Sequence, residues 1–485
     1  MSSVLTLHLN SNYPRTMKKV LIYTGLAVFI LSGCTKDITD FNKNPKAPEE
    51  VPAAMLYANA QKDLVYYMSS PNVNVNTFRL WSQHWTQTTY TDESNYELTE
   101  RNINGGVYDR LYANVLRDLS EARAIIGKDE LVTGNDEKAQ LALITIIECY
   151  AYHVLVDIFN DVPYTDAIQL LDNLAPGYDD AATIYSSVMS DLDGAIADLN
   201  AGGGTGELGA SDNIYGGSAS SWAAFAGALK MKMAVRTGDM AAAAAADPGA
   251  GFSSAMMTFE GSAPNTNPLW EALVQSGRTD YIASSTFGDI LNDRMDPRRG
   301  MFFKNVGDSI DGGKITGNPH GSGGAYPLYS QPGAMLEDPT HPGQLMTTAE
   351  VEFLRAHIDA TNGDDAAAAT HYHAGIMASC SDWGVDGSTY IMHPMVNADS
   401  LLAAGTSWNE IIGTQKWIAM YDNSFEAWST WRFYDYPMMA VAAEAGTTPP
   451  TRYNYSVDEY SINNDNVSGA NGGNDDKYGK VFWDN

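Results

Sequence analysis

Three cysteines in 485 residues are too few for a disulfide framework; Cys34 stands apart in its surroundings, and Cys149 and Cys380 are expected as buried free thiols. Positive charge is equally scarce. Lys and Arg number 29 against 59 Asp and Glu, a formal net charge of −30, which repels phosphates and excludes nucleic acid as a partner. Catalytic motifs are missing as well: there is no G-x-S-x-G and no H-E-x-x-H. Gly307, Gly313 and Lys314 miss the phosphate-loop spacing by one residue, with Ile315 where Ser or Thr is needed. His371 and His373, two apart, point to different sides of a helix and are read as solvent-exposed, not as metal ligands. Paired carboxylates for glycoside cleavage have a three-dimensional spacing that no motif reports. No motif supports reading the chain as an enzyme.

What is present begins with an export signal. Met17-Lys18-Lys19 precedes the apolar run of residues 20–31 and then Ser32-Gly33-Cys34. A basic start, a run too short to span a bilayer and a small-residue exit describe a secretory signal over 1–33, with Met17 as the expected start. The tetrapeptide Leu31-Ser32-Gly33-Cys34 resembles the lipobox of bacterial lipoproteins, which makes Cys34 the lipid anchor. Residues 34–52, polar and Pro-punctuated, read as a tether.

Helical periodicity then dominates. Val107, Leu111, Tyr112, Val115, Leu119, Ala122 and Ile125 recur at three- and four-residue spacings, and Ile184, Val188, Leu192 and Ile196 do the same over 184–199. The nearly all-apolar 141–159 could be a spanning helix, but Glu148, His153 and Asp157 make it a buried core helix. Further helices are expected over 221–235, from Thr347 (with Glu350 at capping-box spacing), over 364–378 and over 408–431. The reading is a helical scaffold over 53–259 and 346–445, interrupted by an irregular loop insertion over 260–345 and closed by a tail over 446–485 whose Lys480-Val481-Phe482-Trp483 end docks.

Several of these stretches, in this order, resemble the SusD/RagB family of nutrient-binding outer-membrane lipoproteins of Bacteroidetes. They are the lipobox at Cys34, residues 152–168 with Asp161-Val162-Pro163, residues 176–199 and 212–236, Asn292 to Gly300, residues 345–358 and 411–432, and the terminal Val481-Phe482-Trp483-Asp484. Asn160 stands where the family has Gly, and Asn tolerates a left-handed turn. The resemblance implies an all-α fold: a tetratricopeptide-like helical-pair scaffold of four pairs, with long irregular loop insertions forming the ligand face. It implies a cell-surface lipoprotein that captures oligosaccharides for a SusC-like TonB-dependent outer-membrane importer, without a cofactor. Import of peptides or another nutrient, and a repeat scaffold that binds only proteins, are the alternatives.

A saccharide site wants rings beside amides, acids and Arg, the composition of residues 78–96, FRLWSQHWTQTTYTDESNY. If the stretch is helical, Trp81 and Trp85 lie one turn apart on one face. They are either a sugar platform or the glue between the first helix and the scaffold. Tyr90, Asn95 and Tyr96 follow in a polar loop with nothing apolar to cover them and are the favoured contacts. Arg278, Tyr281 and Tyr326 from the inserted loops are further candidates, whereas Asp296-Pro297-Arg298 reads as a helix-ending ion pair. Asn464, Asn466, Ser468 and Asp475 fall at positions 1, 3, 5 and 12 of a calcium loop, a weak match, since Asn replaces the leading Asp and Asp the closing Glu; a flexible polar loop is the competing reading.

Overall fold

The stripe residues Val107, Leu111, Val115, Leu119, Ile184, Val188 and Leu192 read from the sequence are buried. The computed structural model describes residues 51–169, 172–304 and 313–484; the signal segment, Cys34 and all but the end of the tether lie outside them. The principal helices are α1 (Ala53–Ser69), α2 (Phe78–Trp81), α3 (Ile103–Tyr108), α4 (Arg117–Ile126), α5 (Asn135–Phe159), α6 (Ala181–Asn200) and α7 (Ala219–Arg236). They continue with α8 (Thr348–Thr361), α9 (Asp365–Asp382), α10 (Trp408–Ala419) and α11 (Ser424–Tyr434). Between α3 and α4 the turn widens to a π-helix, Asp109–Leu116. Helix α1 lies on α4, α6 bridges α5 and α7, and α8–α9 and α10–α11 are hairpins. The fold is all-α, with β1 (Trp85–Gln87), β2 (Ala255–Met257), β3 (Tyr281–Ala283), β4 (Phe303–Lys304), β5 (Gln331–Pro332) and β6 (Gly343–Met346) pairing as β1–β3, β2–β6 and β4–β5.

Local expectations fare unevenly. Helix α5 is long and apolar enough to span a membrane, yet most of it is buried in the protein. Thr347 caps α8 by accepting from the Glu350 N–H at 3.2 Å, but the Glu350 carboxylate turns inward to Lys232 at 2.6 Å instead of completing a capping box. Asn160 takes the positive φ, 74°. Cys149 and Cys380 are free and buried. Asp296 and Arg298 form a fully buried pair at 2.6 Å. His371 and His373 are not solvent-exposed: each is half-buried, the first binding Glu352 at 2.7 Å and the second accepting from the Ala398 N–H at 3.3 Å, because neighbouring segments cover this side of α9. The region 260–345 is not irregular throughout, since Phe287 and Leu291 bury a helix at Ser285–Asp293. The calcium reading fails: Asn464–Val467 is a helical turn, Asn464 accepts from Ser468, and Asp475 accepts from Tyr455 N–H and the Tyr460 hydroxyl. Local helix and local donors have used the geometry a loop would offer a cation.

Helices and tail meet at a buried set of charges. Glu426 on α11 accepts from Lys416 (2.7 Å), Arg236 (2.9 Å) and Lys232 (3.2 Å). Arg236 continues to Asp157, which also receives the Trp483 indole N–H at 2.8 Å. The docked C-terminal Trp483 therefore closes a network that ties α5, α7, α8, α10 and α11. Burial pushes the Glu426 carboxyl up, but the three surrounding cations outweigh it and hold it well below the usual carboxylate range. Its stabilisation is therefore complete above the unfolded carboxyl pKa and is lost as pH falls through the depressed folded value. We expect Glu426→Gln to lose about 3–5 kcal/mol in urea titration at pH 7, since it strands buried cations, and to lose less on acidification than the wild type. An unchanged midpoint at pH 7 would refute this account of the core.

Candidate functional site

Residues 78–96 do not form one helix. After α2 the chain turns at Gln83, with φ 54°, and enters β1, so Trp81 and Trp85 are not one helical turn apart. Both are fully buried. Trp81 lies edge-on to Tyr453 (4.8 Å) and Trp428 (5.4 Å); Trp85 donates its indole N–H to the Tyr421 hydroxyl at 2.8 Å. The packing alternative holds for both, and neither offers a face to a ligand. Tyr96 is likewise a core residue, with 0% exposure: its hydroxyl accepts from Gln83 at 3.0 Å and its ring stacks on His320 at 5.9 Å. Asn95 is half-buried, and its amide clips loops together, donating to the Thr91 and Gly321 carbonyls and accepting from Glu444 and Ala445 N–H. Polar composition misled here, because the polar groups satisfy one another inside the fold.

Tyr90 differs. Its φ is 52°, a left-handed backbone uncommon for a tyrosine, and its side chain is 68% exposed. The β1–β3 ladder, with Gln87 opposite Tyr281, carries Tyr90 to the rim of a cavity of about 300 Å³ shared with Arg278 and Tyr281. Three of the eight residues expected at a ligand site thus converge. Tyr281 contributes wall more than contact, being 7% exposed with its hydroxyl donating to the Pro71 carbonyl at 2.8 Å. Tyr326 lies elsewhere, half-buried near Glu337, whose charge adds to burial in pushing its hydroxyl pKa up.

The cavity also gathers Gln87, from the stretch 78–96, and four residues the sequence did not flag: Tyr66, Asn72, Arg101 and Glu271. Tyr66 donates its hydroxyl to Glu271 at 2.8 Å, and Arg110 sits 6.0 Å over its ring. Arg110 belongs to the π-helix Asp109–Leu116, and Glu271 opens a second, Glu271–Gln275. π-turns recur at functional sites; Glu271–Gln275 lines this cavity beside a strained Tyr90, and Asp109–Leu116 reaches it through Arg110 over Tyr66. Gln87 is fixed from behind, donating to Glu93 at 2.8 Å and accepting from Ser94 N–H at 3.0 Å. Arg278 binds Asp280 through Nε at 2.5 Å, and Arg101 binds Glu93 through Nε. No cluster of three His, Cys, Asp or Glu side chains able to hold a metal occurs among the described residues. The lining suits recognition of a polar ligand by a ring, amides and guanidiniums.

Burial pushes the His320 imidazole, stacked on Tyr96, down to about 3. Its folded pKa lies below the unfolded value, so it contributes stability at neutral pH that is lost as pH falls from about 6.5 towards 3, by about 1.4 kcal/mol per pH unit. The wild-type melting temperature should fall over this range, and His320→Gln should shallow that slope. Parallel slopes would show that His320 is not held neutral.

The sequence matches the SusD-like family, described as "Starch-binding associating with outer membrane", over residues 45–456. Among solved structures, one described as a chitin-binding protein is 25% identical with a TM-score of 0.74, covering 89% of this chain and 99% of that one. A chitin-binding SusD homolog from Flavobacterium johnsoniae is 24% identical with a TM-score of 0.71, over 89% and 98%. A SusD homolog from Bacteroides uniformis is 22% identical with a TM-score of 0.73, over 89% and 99%. No curated protein matches the chain.

Proposed function

Because the chain belongs to the SusD-like family, we propose that it is a lipid-anchored outer-membrane protein, facing the cell surface through Cys34, that captures oligosaccharides and passes them to a SusC-like TonB-dependent importer. One observation carries the reading: an exposed ring, Tyr90, is held at the mouth of a polar cavity that also holds amides and guanidiniums. A sugar's C–H face packs on such a ring while its hydroxyls meet the polar wall. The family's description as starch-binding and the chitin-binding description of a solved relative support a glycan as the cargo. The role is binding, without a reaction. Among the other residues proposed from the sequence, Arg278 and Tyr281 belong to this site, whereas the positions of Trp81, Trp85, Asn95 and Tyr96 support structural roles.

Calorimetric titration of the full-length protein against oligosaccharide and peptide panels tests the proposal. Tyr90→Ala should weaken the bound glycan roughly 2- to 13-fold, the value of one stacking contact of about 0.5–1.5 kcal/mol, and leave stability unchanged. Trp81→Ala should instead lose about 3–5 kcal/mol of stability. Peptide binding with silence towards every glycan would replace the oligosaccharide reading by the peptide one.

A further inference from the structure

The rim of the Tyr90 cavity holds two guanidiniums with donors to spare. Arg101 and Arg278 both line it, and each is held through Nε, Arg101 by Glu93 and Arg278 by Asp280. Neither guanidinium uses its two terminal nitrogens in a hydrogen bond or ion pair among the described residues. Held in this way, a guanidinium has a fixed plane and an open pair of donors, the fork that matches a carboxylate or a sulfate. Of the acceptors nearby, Glu271 takes Tyr66 and Thr266, the Gln87 carbonyl oxygen takes Ser94, and Asp280 takes Arg278 through Oδ2. The carboxylate or sulfate of an anionic sugar only accepts, so it matches these two forks better than a neutral sugar's hydroxyl, which must also donate.

Resting on the glycan reading above, we infer that this cavity selects oligosaccharides bearing an acidic substituent, a carboxylate or a sulfate, through Arg101 and Arg278. The net charge of −30 does not oppose this at contact range, because charges beyond about 8 Å are screened at physiological ionic strength. The acids in the cavity wall are each held by partners of their own: Asp280 faces Arg278, and Glu271 faces two hydroxyls.

The test uses the full-length protein and matched probes: oligogalacturonate against its methyl ester for the carboxylate arm, and sulfated against desulfated galactan oligosaccharides for the sulfate arm. We expect one acidic member to bind at least about 10-fold more tightly than its neutral match, the scale of a charge-assisted bidentate contact. Arg278→Gln, at an exposed side chain, should weaken the acidic member more than its neutral match and so remove that preference, and Arg101→Gln should act in the same direction. Equal affinity for acidic and neutral members, or a preference that survives Arg278→Gln, overturns the inference and leaves glycan capture standing. Binding of acidic peptides with no glycan bound at all overturns the capture reading together with it.

Discussion

Arg79 is the side chain on which the ligand-facing geometry depends. Buried at 2% exposure, it donates to the Tyr421 carbonyl at 2.7 Å and to the Asp422 carbonyl and carboxylate at 3.0 and 2.9 Å. These acceptors form the turn between α10 and α11, whose carbonyls would otherwise be buried without donors. One guanidinium therefore completes the hairpin turn and fastens residues 78–85 to it, with its plane 4.9 Å over the Trp85 ring. Asp422 takes a second donor, His341, at 2.8 Å. Burial pushes the Asp422 carboxyl up, but His341 and Arg79 outweigh this and keep it below the ordinary range.

From that anchor the rest follows in order. Trp85 fixed on Tyr421 sets where β1 begins; β1 sets its register with β3; and the register puts Tyr90 and Arg278 at one cavity mouth. The helices supply rigidity, through stripes and the Glu426 charge network, while short paired segments between them supply the ligand face. Core and site thus share one stretch of chain, with Trp81, Trp85 and Tyr96 turned inward and Tyr90 outward.

Helices were legible because periodicity is local: the stripes at 107–125 and 184–199 need only their own residues to be seen. The fate of Trp81 and Trp85 was not, because what covers them, Tyr421, Trp428 and Tyr453, lies more than 300 positions away. Tyr96 and Asn95 misled for the same reason: what covers or binds them, His320, Gly321, Glu444 and Ala445, is distant in sequence. Tyr90 was readable because nothing around it could bury a ring. Tyr66 and Glu271, 205 residues apart, meet only in the fold; Arg101, the cation that directly follows the acids of residues 92–100, had a sequence setting that carried a signal.

The most direct test of the account is hydrogen–deuterium exchange across the chain with and without the tightest-binding oligosaccharide. Ligand binding at the Tyr90 cavity predicts added protection confined to residues 72–74, 87–91 and 271–281, with the core stretch 78–85 unchanged. Protection appearing elsewhere, with those three segments unaffected, would contradict it.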